Sequence, residues 1–206
     1  MSTARRGIIL DRDGTLIDVV RDEETGTLSV AFHPDQLRFL PGVLDGLRAL
    51  SQAGFVLAIA TNQPGPAKGQ FSRAAVERTN LALIARLADA GVSIAALEVC
   101  LHHPQGGPGG DPALIGDCAC RKPKPGLLHA LISGLGLDPS RSFMIGDSPS
   151  DVEAARLASM RAGLLFSRDR CELCPLRGGP PGKPELVAAR FDDLARLILA
   201  APNAPA

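Results

Sequence analysis

Three short and largely apolar runs, separated by helical patterns, are the sequence feature that most constrains the fold. They occupy residues 7–10, 55–60 and 142–145 of this 206-residue chain. Short apolar runs of this kind are typical of strands that are buried on both faces. Strands that alternate with helices form a parallel sheet with helices packed on both sides. The sequence therefore predicts an α/β protein with a doubly wound parallel sheet.

The predicted helices have recognisable ends. Proline, serine and glycine stand where helices commonly begin and end; these positions are Pro41 and Gly54 for one helix, Ser72 and Gly91 for a second, and Pro125 at the start of a third. Ser150 and Glu153 have the spacing of a capping box, which predicts the start of a fourth helix. A strand is expected over residues 94–101.

Acidic side chains directly follow the first apolar run. Asp11 and Asp13 lie one residue apart, ahead of Gly14 and Thr15. Ligands of open α/β sheets bind outside the carboxyl ends of the strands, and an aspartate there can act as a nucleophile that accepts a phosphoryl group. Asp11 is the candidate nucleophile, and Asp13 is the candidate general acid and base. A polar turn also favours Asp and Gly, so this motif alone leaves both interpretations open.

Later segments supply the other parts of a phosphoryl-transfer site. Thr61, Asn62 and Gln63 follow the second apolar run, and their hydroxyl, amide and backbone N–H groups can hold phosphate oxygens. Lys122 offers a positive charge for a phosphate. Asp147 follows the third run and adds a carboxylate for a hard cation such as Mg²⁺.

Taken in this order, the motifs resemble those of the haloacid dehalogenase (HAD) superfamily of phosphatases over residues 7–163. The resemblance implies that Asp11 is the nucleophile and that Asp13 is the general acid and base. It also implies that Mg²⁺ is bound by Asp11, the backbone carbonyl of Asp13, and Asp147. The phosphate-holding residues that it implies are Thr61, Asn62 and Lys122.

Two pairs of metal-ligating residues flank a glycine-rich stretch. Cys100 and His102 form the first pair, and Cys118 and Cys120 form the second. Four such ligands with no open position are typical of a structural, tetrahedral Zn²⁺ site. A disulfide is disfavoured, because cysteines this close in sequence bridge poorly and a histidine has no part in one. His103 remains an alternative to His102 as a ligand.

The segment around these pairs is similar to the heptose 1,7-bisphosphate phosphatase branch of the superfamily, and more distantly to the histidinol-phosphate phosphatases. Fifteen residues, 103–117, lie between His102 and Cys118, and this length favours the heptose branch. One position departs from that branch, because Ser148 stands where a lysine is common. The resemblance implies a sugar phosphate substrate, with histidinol phosphate as the alternative.

The glycine-rich zinc loop, residues 100–120, is expected to replace a cap domain, for which the intervals between the motifs leave no room. So many glycines predict a loop whose shape depends on metal ligation instead of a core. We expect the loop to wall the active site and help to select the substrate. Arg121, beside Lys122, is expected to contact the phosphate or sugar of the substrate.

Composition excludes several other classes of protein. Lysine plus arginine equals aspartate plus glutamate, at 22 each, so no basic surface for nucleic acid is expected. No tryptophan or tyrosine is present to stack bases. No apolar run approaches the length of a signal peptide core or a membrane span. We predict a cytoplasmic, monomeric enzyme with one domain over residues 1–200 and a disordered tail at 201–206.

Two further points stay open from the sequence alone. Cys171 and Cys174 form a second pair that the resemblance does not cover, and the shortage of additional ligands favours no metal there. A catalytically silent, zinc-stabilised binding protein is the alternative from another functional class. That alternative is expected to lack catalytic or metal-binding aspartates, whereas Asp11, Asp13 and Asp147 are all present.

Overall fold

The computed structural model describes residues 4–21, 24, 26–166 and 183–202. These residues fold around a central six-stranded parallel sheet that they themselves form. In chain order the strands are β1 (Gly7–Leu10), β2 (Val20–Arg21), β3 (Leu28–Ser29), β4 (Val56–Asn62), β5 (Ala96–Cys100), β6 (Phe143–Gly146), β7 (Arg161–Leu165) and β8 (Leu186–Ala188). The sheet has the order β5-β4-β1-β6-β7-β8, and β2 pairs with β3 in a separate antiparallel ribbon.

Six α-helices accompany these strands in the described ranges. They are α1 (Val43–Gln52), α2 (Gly65–Lys68), α3 (Arg73–Asp89), α4 (Gly126–Leu135), α5 (Pro149–Leu157) and α6 (Phe191–Ala200). Within the described part of the chain, the interval from β1 to β4 holds only the ribbon, one 3₁₀ turn and α1. None of the helices in these ranges is long and apolar enough to cross a membrane.

Burial on both faces of the sheet explains the unbroken apolar runs. Ile8 and Leu10 of β1 belong to one core cluster, together with residues of α1, α3 and α6. Ile9, between them, belongs to a second cluster with residues of α4 and α5. Successive side chains of a strand point to opposite faces, so a strand between two helical layers must be apolar at each position. The predicted doubly wound fold is confirmed.

The helix ends match the sequence prediction except at the starts of α1 and α5. The first helix begins at Val43 after a Gly42 cap, two residues past the predicted Pro41. The Ser72 hydroxyl caps α3 by accepting the Ala75 N–H at 3.1 Å. The capping box predicted from Ser150 and Glu153 is wrong, because α5 begins at Pro149 and Ser148 caps it. Proline suits the first helical position, since its fixed φ is helical and it needs no hydrogen-bond partner there.

The parallel register brings the predicted functional segments to one edge of the sheet. β1 lies between β4 and β6, and Leu10 pairs with both Ile59 and Ile145. The residues that follow these strands therefore meet in space, outside their carboxyl ends. The cysteines at 171 and 174 and the end of the predicted tail, residues 203–206, lie outside the described residues.

Candidate active site

Asp11 lies at the carboxyl end of β1, next to a buried lysine. Its N–H donates to the Ile145 carbonyl at 2.9 Å, which fixes its backbone against β6. Lys122 Nζ is 2.7 Å from Asp11 Oδ1 and 2.6 Å from Asp151 Oδ1. It also donates to the Ala60 carbonyl at 2.8 Å. One ammonium group therefore connects residues that follow β1 and β6 with the end of β4.

The lysine keeps its charge despite its burial. Burial lowers the pKa of Lys122, but the carboxylates of Asp11 and Asp151 outweigh that effect and leave its pKa raised. Burial also raises the pKa of Asp11, to about 7, with repulsion from Asp151 and Asp13 adding to the effect and Lys122 opposing it. Asp11 is therefore a carboxylate whose negative charge needs more compensation than Lys122 alone provides.

A third acidic side chain, Asp147, completes a compact group at this edge. Carboxylate oxygens of Asp11, Asp147 and Asp151 all lie within 4.8 Å of one another. Burial raises the pKa of Asp147 well above its ordinary value, as does repulsion from Asp11 and Asp151. No ion pair to Asp147 occurs in the part of the chain that the structure describes. Two buried carboxylates that share one ammonium group, with the half-buried carboxylate of Asp147 beside them, form a site that fits a divalent cation.

Gly14 makes room for Asp147. Its backbone has a φ of +83°, and a Cβ built on it would lie 2.1 Å from Asp147 Oδ2. Only glycine adopts this conformation at low cost and also permits such an approach. The glycine of the acidic motif therefore has a packing role as well as a turn role.

Asp13 is held by a network of donors next to this group. Its Oδ2 accepts from Arg12 Nε at 2.9 Å and from Gln63 Nε2 at 2.7 Å. Its Oδ1 accepts from the Ala31 N–H at 2.9 Å. The carboxyl group is therefore fixed in orientation by three separate segments of the chain.

The residues at the carboxyl end of β4 and just after it take different roles from one another. Gln63 is fully buried, and its amide bonds Thr61 and Asp13 while its carbonyl oxygen accepts from Arg12. Asn62 brackets the backbone of Lys122, donating to its carbonyl and accepting from its N–H, each at 3.1 Å. The side chains of Gln63 and Asn62, predicted to hold phosphate, are thus engaged in positioning Asp13 and Lys122. Thr61 accepts from Gln63 and keeps a hydroxyl proton to donate.

A second candidate metal centre lies beyond the end of β5. Cys120 Sγ is 3.0 Å from Cys100 Sγ, 3.5 Å from Cys118 Sγ and 3.5 Å from His102 Nδ1. Cys100 Sγ is 3.7 Å from both Cys118 Sγ and His102 Nδ1. A tetrahedral zinc ion with Zn–S bonds of about 2.3 Å separates its sulfur atoms by about 3.8 Å. The four side chains therefore fit such an ion with small adjustments.

The geometry separates His102 from His103. The ring nitrogen Nδ1 of His103 accepts backbone N–H groups of Gln105 and Gly106, at 3.3 and 3.0 Å. His103 therefore orders the start of the loop, and His102 is the imidazole that faces the thiols. Arg121 lies against the same centre, since its N–H donates to Cys118 Sγ and its guanidinium to the His102 carbonyl.

The loop between the two ligand pairs packs closely on α2. A Cβ on Gly110 would lie 1.9 Å from the Ala67 carbonyl oxygen, and one on Gly107 would lie 2.6 Å from the Lys68 carbonyl oxygen. The Asp111 N–H donates to the Pro66 carbonyl at 2.9 Å. These glycines therefore permit backbone-to-backbone contact, and the prediction that the loop depends on metal ligation for its shape is wrong in this respect, because the loop also packs on α2.

A cavity of about 470 Å³ lies between this loop and the start of α3. It is lined by Pro66, Gly69, Phe71, Ser72, Arg73, Gly109 and Asp111. Arg73 and Asp111 form an ion pair of 2.7 Å at its wall. The loop therefore contributes one side of an open recess.

Sequence reasoning assigned no role to three residues around the candidate catalytic aspartates. Arg12 and Asn80 are buried and bonded to each other, and Asp151 accepts from both Lys122 and Ser148. Asp151 is the second aspartate of the Gly-Asp-x-x-x-Asp motif at residues 146–151, and the signal for Arg12 was its place between two aspartates. The partner on α3 carries no motif, so only the fold reveals it.

Comparison with known proteins agrees with the geometry. The HAD-hydrolase-like family model matches residues 119–194. A D-glycero-beta-D-manno-heptose-1,7-bisphosphate 7-phosphatase of Pasteurella multocida is 33% identical over 195 residues, covering 94% of this chain and 97% of the relative. The enzyme of the same name from Pseudomonas aeruginosa is 36% identical over 197 residues, covering 96% and 98%.

A solved structure resembles the whole chain as well. The D,D-heptose 1,7-bisphosphate phosphatase of B. bronchiseptica, in complex with magnesium and phosphate, has a TM-score of 0.74 and 29% identity. The match covers 95% of this chain and 98% of that one. Fold and site together define a phosphatase that acts on phosphoric monoesters. Within that class, the chain belongs to the heptose-1,7-bisphosphate 7-phosphatases, a family of the HAD superfamily.

Proposed function

We propose that this enzyme removes the 7-phosphate of D-glycero-β-D-manno-heptose 1,7-bisphosphate and leaves the 1-phosphate in place. The observation that carries the proposal is the position of Asp11, buried at the end of β1 and 2.7 Å from the Lys122 ammonium group. The relatives named above support the substrate, and their names specify the β anomer. That anomer is a detail which the sequence motifs leave open.

Two chemical steps follow from this arrangement. First, a carboxylate oxygen of Asp11 attacks phosphorus, the bond from phosphorus to the ester oxygen breaks, and that oxygen takes a proton from Asp13. Then water attacks the aspartyl-phosphate and gives a proton to Asp13. The bond from phosphorus to Asp11 breaks, which releases phosphate and restores the carboxylate.

The phosphate group requires donors around its oxygens. The Lys122 ammonium group lies beside Asp11, and the Thr61 hydroxyl keeps its proton to donate. We assign both groups to the phosphate. Asn62 contributes to phosphate binding by positioning Lys122, since its side chain bonds both the N–H and the carbonyl of that residue. Arg121 supplies a further positive charge beside the zinc ligands, and we assign it to the substrate's sugar or second phosphate.

Magnesium is the metal that suits the acidic group. Asp11, Asp147 and the backbone carbonyl of Asp13 would bind it, as the motif predicts, with Asp151 close enough to share the site. When bound, the ion offsets the charge of the carboxylates and of the phosphate. The excess of buried carboxylates over ammonium groups supports this assignment. The B. bronchiseptica relative, whose structure is a complex with magnesium and phosphate, supports it.

Zinc suits the second centre, and we assign it a structural role. Cys100, His102, Cys118 and Cys120 would fill all four positions of a tetrahedral ion, which leaves none open for chemistry. Burial raises the pKa of Cys100, so a cation is needed there to hold its thiolate. Zinc thiolate centres of this kind are consistent with a reducing compartment, and we propose a cytoplasmic monomer.

A panel of phosphate esters tests the proposed substrate. Phosphate release would be measured with both anomers of heptose 1,7-bisphosphate, heptose 7-phosphate, histidinol phosphate and p-nitrophenyl phosphate. The β anomer should give a kcat/KM at least about tenfold above every other compound. A higher value for histidinol phosphate would assign the chain to the other branch and overturn the proposal.

A further inference from the structure

A fully buried arginine lies beside the proposed general acid, and the two chemical steps above do not use it. The Arg12 side chain has no exposed surface. Its Nε is 2.9 Å from Asp13 Oδ2, and its Nη2 is 3.3 Å from Asp13 Oδ1. Burying a charged guanidinium is costly unless its donors are bonded. The remaining partners of Arg12 therefore show what holds it in place.

Those partners come from distant parts of the chain. Arg12 Nη1 donates to Asn80 Oδ1 of α3 at 2.6 Å. Its Nη2 donates to the Ala31 carbonyl at 2.5 Å and to Gln63 Oε1 at 2.9 Å. Ala31 and Gln63 each also donate to the Asp13 carboxylate, at 2.9 and 2.7 Å. Arg12 and Asp13 thus share two partners, and Asn80 is the partner that bonds the arginine alone.

We propose that Asn80 is a positioning residue for this enzyme: it anchors Arg12, and Arg12 in turn holds the Asp13 carboxyl group where the leaving oxygen forms. Asn80 is 5% exposed and lies on α3, away from the reacting atoms. The inference rests on the proposed function in one respect, namely that Asp13 gives a proton to the leaving group.

Asn80 is the partner best suited to isolate this role. Removing the Gln63 side chain would disturb Asp13 directly, because its amide bonds that carboxylate, and the Ala31 bonds come from its backbone, which no substitution removes. Removing Asn80 leaves every direct bond to Asp13 possible but frees Nη1 of the arginine. An unpaired buried donor drives the guanidinium to rearrange, and a displacement on the order of 1 Å near a reacting group can cost about 10²-fold in rate.

The leaving group provides the diagnostic. A sugar alkoxide is a poor leaving group and needs a proton as the ester bond breaks, whereas p-nitrophenolate leaves without one. If Asn80 acts through Asp13, its loss should slow transfer from an alkyl phosphate much more than the first turnover of p-nitrophenyl phosphate. A merely structural role would slow both esters alike.

The experiment compares Asn80→Leu with a matched control on the same helix. Thr79 is equally buried, and its hydroxyl bonds only the Ala75 carbonyl of its own helix, at 2.8 Å. Thr79→Val therefore removes a buried polar group without touching the network. Asn80→Asp keeps an oxygen acceptor for Arg12 and serves as the rescue variant.

The measurements are steady-state hydrolysis of an alkyl phosphate and the pre-steady-state burst of p-nitrophenol. Asn80→Leu should lower kcat for the alkyl ester by about tenfold or more, with KM within about twofold and the burst rate within about twofold. For Thr79→Val, kcat, KM and the burst rate should all stay within about twofold of the wild-type values. Asn80→Asp should recover most of the kcat that Asn80→Leu loses.

The inference would be overturned if Asn80→Leu slowed the reactions of both esters equally. It would also be overturned if the rates of Asn80→Leu matched those of Thr79→Val. If Asn80→Leu does not fold, Asn80→Ser replaces it, since its shorter side chain cannot reach Arg12. The result is separable from the proposed substrate. A wild-type enzyme inactive on heptose bisphosphate would contradict the substrate, while the leaving-group comparison would still be made with whichever alkyl phosphate it hydrolyses.

Discussion

Charge balance around Asp11 explains the chemistry available at the residue scale. Lys122 bonds both Asp11 and Asp151, and Arg12 is paired with Asp13. Of the four aspartates at this site, Asp147 is therefore the one that forms no ion pair with another described residue. Burial keeps these charges from being screened by water. A divalent cation bound to this group would offset the charge that otherwise repels a phosphate dianion from Asp11.

Gly14→Ala should damage this site more than a glycine substitution in a surface turn. A left-handed backbone costs an alanine roughly 1–2 kcal/mol, and the new Cβ would collide with Asp147 Oδ2. We expect weaker magnesium binding, seen as an increase of about tenfold or more in the concentration that half-activates the enzyme. Gly26→Ala is the control, because it has a similar φ and nothing within 4 Å of its Cβ. An unchanged magnesium requirement in Gly14→Ala would contradict this role.

Linear motifs predict only part of the residue-scale picture. Asp11, Asp13 and Asp147 were predictable because each directly follows a strand whose end must lie at the ligand edge. The bond between Arg12 and Asn80 joins positions 68 apart, and no local pattern marks it. The roles of Gln63 and Asn62 also depend on tertiary partners, since the same amides could equally have faced a phosphate.

At the scale of elements, the zinc loop is fixed at both ends and in its middle. The side chains of its two Cys/His pairs meet at its ends, where we propose that zinc binds, and its glycines lie against α2. Glycine-rich composition predicted a loop shaped by metal alone, because a sequence does not show which backbone a glycine approaches. Likewise, Pro149 moved the start of α5 two residues upstream of the predicted capping box.

Cys118→Ser should destabilise the protein without stopping the chemistry. Loss of one thiolate from a closed zinc site weakens metal binding and with it the ordering of the loop. We expect about one equivalent of zinc in the wild-type protein, less in the variant, and a melting temperature several degrees lower. Asp117→Asn is the neighbouring control, since it changes an exposed ion pair with Lys124. Active wild-type protein that contains no zinc would refute the assignment.

Gly110→Ala tests whether the loop recognises the sugar. The added Cβ would collide with the Ala67 carbonyl and push the loop away from α2. We expect kcat/KM for heptose bisphosphate to fall by about tenfold or more, while that for p-nitrophenyl phosphate changes by less than about threefold. Gly134→Ala, with open space around its Cβ, is the control. Equal losses on both esters would mean that the loop supports the catalytic aspartates instead of selecting the substrate.

At the scale of the whole molecule, the acidic group should make stability depend on pH. The pKa of Asp11 is raised to about 7 and that of Asp147 is raised as well. Between the ordinary pKa of an aspartate and about pH 7, the folded state therefore binds more protons than the unfolded chain. Stability without magnesium should consequently fall as the pH rises through this window.

Chemical denaturation at about pH 5.5 and about pH 7.5 measures this effect. Without added magnesium, the free energy of unfolding should be lower at the higher pH by roughly 1–3 kcal/mol. Saturating magnesium should reduce or reverse the difference, because the cation binds the deprotonated carboxylates. A metal-free protein that becomes more stable with rising pH would show that these carboxylates are not strained by burial.

The fold was predictable in outline because a doubly wound sheet leaves a strong pattern in the chain. Strands such as β1 are buried on both faces and read as continuous apolar runs. Short elements carry much weaker patterns. The two-residue strands β2 and β3, and the four-residue α2 on which the zinc loop rests, depend on contacts with distant segments for their shape.

Trapping the phosphoryl group on the protein shows directly whether Asp11 is the nucleophile. Heptose 1,7-bisphosphate with ³²P at the 7-position would be mixed with the enzyme and magnesium, quenched in acid within the first turnover, and the peptides analysed by mass spectrometry. We expect label on the peptide that contains Asp11, at Asp11 itself, and none in Asp11→Asn, which should lose on the order of 10³-fold or more in turnover. Label on another residue, or full turnover by Asp11→Asn, would contradict it.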